Sequence, residues 1–107
     1  MAHETLKMLI LSKLPKRQAC PPQVLALLAQ LNGTAKSFHA TVTIVYRQLP
    51  PDKRKELMRD PRLANADKAV RETLDKLKES GVNLYGFDSM DFCEAFAEVY
   101  KAYAAAR

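Results

Sequence analysis

The chain has 107 residues, 48 % of them apolar and 27 % charged, with a net charge of +5. This length and balance predict one domain over residues 1–107 with its own core, and exclude a disordered tail or a small disulfide-stapled scaffold. Ten Lys or Arg against four Asp or Glu fall in residues 1–60, and seven against eight in residues 61–107, so the basic character belongs to the N-terminal half.

No stretch reaches the roughly 18 consecutive apolar residues that a membrane span needs. The start, Met-Ala-His-Glu, lacks the pattern of a secretory signal. The expected location is therefore the cytoplasm. Cys20 and Cys93 have no metal-ligand neighbour at short spacing, so both are read as reduced thiols, with Cys93 buried.

In chain order, Leu6, Leu9, Ile10 and Leu14 share one face of a helix over 4–14, which Pro15 ends. Gln23 to Leu31 is apolar nearly all round, preceded by Pro21-Pro22 and followed by Asn32-Gly33, the punctuation of a buried helix with a glycine stop. Ser37 to Leu49 fits two templates. As a helix it lines up Phe38, Val42, Val45, Tyr46 and Leu49 and leaves His39, Thr43 and Arg47 outside; the β-branched run Thr41 to Val45 suits a strand. The helical reading accounts for more of the segment. The strand reading would pair residues 40–46 with 82–87 and make the fold α+β with a small two-stranded sheet.

Past Pro50-Pro51, a short helix over 52–60 carries Lys53, Arg54, Lys55 and Arg59 outward, anchored by Leu57 and Met58. Asn65 or Asp67 is the expected start of the next helix, with Ala66, Val70, Leu74 and Leu77 inward and Gly81 as its stop, Val82 folding back on Leu77. Asp88 or Ser89 caps a final helix to about Ala105, where Phe92, Phe96, Val99, Tyr100 and Tyr103 form an aromatic stripe. The fold class expected is mainly α, one compact domain of five or six helices.

The segments Leu28-Ala29-Gln30-Leu31-Asn32-Gly33 and Thr41-Val42-Thr43-Ile44-Val45-Tyr46-Arg47 together resemble the helix-turn-helix of DNA-binding regulators. They depart from it in the residue count before the glycine and in the length of Thr34 to Ala40. The resemblance places a helix-turn-helix within residues 22–49 and implies a second helix that reads base edges in the major groove. Lys36, Ser37, His39, Thr41, Thr43 and Arg47 would form that reading surface. Lys16, Arg17, Lys53, Arg54 and Lys55 would hold phosphates.

No Gly-rich phosphate loop, metal-ligand cluster or nucleophile-base pair is visible, so neither catalysis nor a cofactor or metal is expected. Two partners follow from the residues. Nucleic acid, duplex DNA above all, suits the basic half; a protein partner or a second copy suits an adaptor or inhibitor that offers Tyr100 and Tyr103 from the last helix.

Overall fold

Val24, Leu28, Leu31, Ala35, Phe38, Val42 and Val45 alternate spacings of four and three over six intervals, the repeat that keeps one seam of a helix against its neighbours. In the computed structural model, which describes residues 3–106, all seven are buried on one helix, α2, that runs unbroken over Pro22–Gln48. The helix-turn-helix is thereby corrected: there is no turn at Asn32-Gly33, and Gly33 lacks the positive φ seen at Gly81 and Gly86. The magnitudes say why. A glycine inside a helix costs about 1 kcal/mol against alanine, and the β-branched run over Thr41 to Val45 about 3 kcal/mol in all. Burying the stripe, at roughly 1.5–3 kcal/mol for each large side chain, returns on the order of 10 kcal/mol.

The other elements are α1 (His3–Ser12), a 3₁₀ turn (Arg17–Ala19), a 3₁₀ segment (Pro51–Arg59), α3 (Pro61–Glu79) and α4 (Ser89–Ala105). The domain is all-helical, and no strand occurs among the described residues, which removes the α+β alternative. α2 packs against α3, α4 and the 3₁₀ segment, while α1 lies on α4. The principal extents are 48 × 26 × 22 Å, the long one set by the roughly 40 Å of a 27-residue helix.

Local chemistry fixes the ends. Pro21 and Pro22 open α2, where a missing N–H is harmless. α3 begins earlier than the sequence suggested, because Asp60 accepts from the Arg62 backbone N–H at 2.8 Å and Pro61 takes the first helical position. Its end is as expected: Gly81 adopts φ +92°, Gly81 N–H donates to the Lys78 carbonyl and Val82 N–H to the Leu77 carbonyl at 2.9 Å, closing the helix with two apolar side chains together. Asp88 caps α4 by accepting from the N–H groups of Met90 and Asp91.

The aromatic stripe of α4 belongs to the core. Phe92 and Phe96 are buried, and Tyr103, at 6 % exposure, donates its hydroxyl to the Pro15 carbonyl at 2.7 Å. Tyr103 is thus a tie between α4 and the chain after α1, and it is not on offer to a partner. Tyr100 is half-buried, stacked against Phe96.

Two substitutions test this architecture. A Cβ built on Gly33 meets nothing within 4 Å, so Gly33→Ala should raise stability by about 0.5–1 kcal/mol in urea unfolding; a turn at that site would give the opposite sign. Tyr103→Phe, which strips one hydrogen bond, should lower stability by about 1 kcal/mol and leave the sedimentation coefficient unchanged.

Candidate nucleic-acid interface

From Thr5 to Pro51 the sequence contains no Asp or Glu, so α2 carries Lys36, Arg47 and His39 with no acid of its own. Lys36, Thr43 and Arg47 recur at seven and four residues, two and one turns of helix, and therefore point the same way. The structure turns that edge toward α4. Three shallow depressions follow the seam between the two helices. The first, about 370 Å³, lies between Asn32 and Lys36 on α2 and Glu98, Tyr100 and Lys101 on α4. The second, about 250 Å³, takes in Lys36, His39, Cys93 and Glu94. The third, about 290 Å³, ends at His39, Thr43, Tyr46, Arg47 and Met90. Each shares a residue with the next, and the order shows α2 and α4 antiparallel.

Of the reading surface proposed from sequence, Lys36, His39, Thr43 and Arg47 come together on this seam. Ser37 and Thr41 do not line it. The hydroxyl of Thr41 donates to the Ser37 carbonyl at 2.8 Å and that of Thr43 to the His39 carbonyl at 3.1 Å, the back-bonding common for Thr inside helices. Neither hydroxyl proton is left for a base edge.

The phosphate-holding set separates. Arg54 reaches the end of the seam, its guanidinium 4.3 Å from the Tyr46 ring centroid and its Nε donating to the Tyr46 carbonyl. Lys53 and Lys55 are exposed beside it in the chain. Lys16 is exposed at the other end of α2, but Arg17 is half-buried, with its Nε shut off from solvent. Among the described residues the ion pairs engage His3, Lys7, Arg59, Arg62 and Arg71. None of Lys16, Arg17, Lys36, Arg47, Lys53, Arg54 or Lys55 is among them.

Acids do reach the seam, from α4. Glu98 is held by His3 at 2.7 Å and Lys7 at 3.2 Å, hydrogen bonds that keep its carboxyl below the usual carboxylate range. Glu94 lines the seam opposite Lys36 and His39, and none of the ion pairs among the described residues engages it. Among the seam residues that the sequence did not single out are Lys101 and Tyr46. Lys101 needs the antiparallel packing of α4 to meet Lys36. Tyr46, placed with the core, is 47 % exposed, because the stripe passes through Val45 and leaves its neighbour about 100° round the helix.

Among the described residues no helix is long and apolar enough to cross a membrane, and no three acidic, His or Cys side chains gather as a metal site. Burial pushes the Cys93 thiol up to about 12, so it stays protonated and inert.

The tether of α1 gives a pH dependence with a definite sign. Because Glu98 is depressed in the folded protein, its contribution is full above the ordinary glutamate range and is lost as pH falls through its lowered value. Thermal melts between about pH 3 and 6 should show this loss, and Glu98→Gln should flatten the profile. Comparison with known proteins adds no assignment: no protein-family model, curated protein or solved structure matches this chain.

Proposed function

We propose that this protein binds the sugar-phosphate backbone of nucleic acid, duplex DNA in particular, along the α2–α4 seam, without reading base sequence. The observation that carries the reading is the set of unpaired cations lining or ending the seam, Lys36, Arg47, Arg54 and Lys101, on and around a helix that has no acid. Phosphates are bound by such groups because each contact releases condensed counterions. Lys36 and Arg47 lie 11 positions apart, roughly 16 Å along the helix, about five base-pair steps of a DNA strand. With the hydroxyls of Thr41 and Thr43 engaged by their own helix, the contacts available position rather than specify. On this reading the protein is a cytoplasmic regulatory or architectural binder that performs no catalysis and takes no cofactor.

Fluorescence anisotropy on labelled duplexes of unrelated sequence tests it. Affinity should fall linearly in log-log form from about 50 to 200 mM salt. Lys36→Ala and Arg47→Ala should each reduce the slope by about one unit and weaken every duplex alike, whereas Lys68→Ala and Lys76→Ala on α3 should do neither. Absence of binding at the low-salt end would overturn the reading.

A second reading, a protein-binding adaptor or homodimer, has one observation in its favour. Met8 and Leu11 of α1 are 71 % and 51 % exposed and flank Val99 and Ala102 of α4 around a depression of about 200 Å³, an apolar spot of the kind used by partners. Concentration-dependent sedimentation of the wild type that disappears in Met8→Ser, Leu11→Ser would support the dimer form of it; a monomer in both leaves only a foreign partner.

A further inference from the structure

On the other side of α4 from most of the seam, the segment between α3 and α4 forms one side of a partly open pocket of about 280 Å³. Its walls are Val70 and Leu74 of α3, Leu84 and Phe87 of the connecting segment, and Phe92 and Cys93 of α4. All but Phe87 are buried, and Phe87 is half-buried. An apolar cavity of about 150 Å³ is large enough to hold benzene, so this one has room for two fused rings. The walls suit flat ligands: Phe87 stacks on Phe92 at 5.7 Å and 18°, and Phe92 on Phe96 at 5.5 Å. A planar ring entering the cavity would extend this ladder, gaining offset stacking in addition to burial.

The polar lining selects among aromatic molecules. Asp67 and Arg71 pair at 2.9 Å, and the Tyr85 hydroxyl is committed to the Asp75 carboxylate and the Arg71 carbonyl. A ligand carrying a carboxylate would have to compete with Asp67 for Arg71. A neutral ring with an N–H need break nothing, because a carboxylate has lone pairs to spare after one Arg contact. The segment that forms this side of the pocket is bounded by Gly81 at φ +92° and contains Gly86 at φ +101°, and the Tyr85 contacts tie it to α3.

We infer that this cavity is a binding site for a small, neutral, planar N–H heterocycle of one or two rings, with its ring against Phe87 and Phe92 and its N–H toward Asp67. The site is independent of the nucleic-acid reading and stands or falls without it. Indole is the probe. Titrated into the 107-residue protein and followed by ¹H–¹⁵N correlation spectra, it should produce saturable shifts at the amides of Val70, Leu74, Leu84 and Phe92, and indole-3-carboxylate should bind more weakly. Val70→Phe, which fills the cavity, should abolish the response while the far-ultraviolet circular dichroism stays that of the wild type. Should that variant fail to fold, the wild-type map decides. Shifts that do not saturate, that gather on the α2–α4 seam, or that are as strong for indole-3-carboxylate would overturn the inference.

Discussion

The structure depends on one continuous contact, the burial of a single face of α2 from Val24 to Val45 between α3 and α4. That contact decides the shape. A chain of this length packed isotropically would have a radius of gyration of roughly 13 Å, against the 14.6 Å observed; the excess follows from a helix too long to be surrounded. It also decides the topology, since α3 and α4 can both lie along so long a helix while α1 packs chiefly on α4. The 3₁₀ segment after Pro50-Pro51 turns the chain back, held by one buried side chain, Leu57, while Met58 remains 49 % exposed.

The same face shows what was legible in the sequence. The helical class, the glycine stop after α3, the Asp88 cap and the burial of Cys93 all follow from local signals a few residues long. The continuity of α2 did not, because two local signals, Asn-Gly and a β-branched run, pointed the other way. The signal that outweighed them is the alternation of four and three, visible only when Val24 and Val45 are read in one frame. Short windows see the breaker, and long windows see the stripe. Part of the candidate surface was legible for the same reason: His39, Thr43 and Arg47 keep a common direction whether the helix begins at Pro22 or at Ser37, and Lys36 joins them because α2 is continuous. The tie of Tyr103 to Pro15 and the stacking of Arg54 on Tyr46 were not, because they are set by partners distant in the chain or by a ring on another element.

The absence of acids between Thr5 and Pro51 links stability to surface chemistry. Helices commonly gain a few tenths of a kcal/mol from each Glu-Lys pair one turn apart, and α3 carries such a pair in Asp67 and Arg71. α2 carries none. Its stability rests on burial, which leaves Lys36 and Arg47 without carboxylate partners on their own element. Acids reach the seam from α4, where Glu98 is already engaged by α1. Docking of α1 thus removes a negative charge from the seam as it covers Val99, so packing at one edge of the domain tunes the electrostatics of another.

An unbroken α2 also limits what the seam can do with a duplex. A helix with its side chains is about 10–12 Å across, and the major groove of B-DNA about 12 Å wide. A recognition helix enters such a groove when its N-terminal turn stands clear of its neighbours, as in a helix-turn-helix. Here the cations sit from the middle of α2 to its end, with α4 alongside from Asn32 to Tyr46, so two helices would have to enter where one fits. On the proposed reading, Lys36 and Arg47 would meet phosphates on the groove rim rather than base edges. On that reading, affinity through this seam would be salt-sensitive and nearly blind to sequence, which separates it in kind from the base reading that the residue types alone suggest.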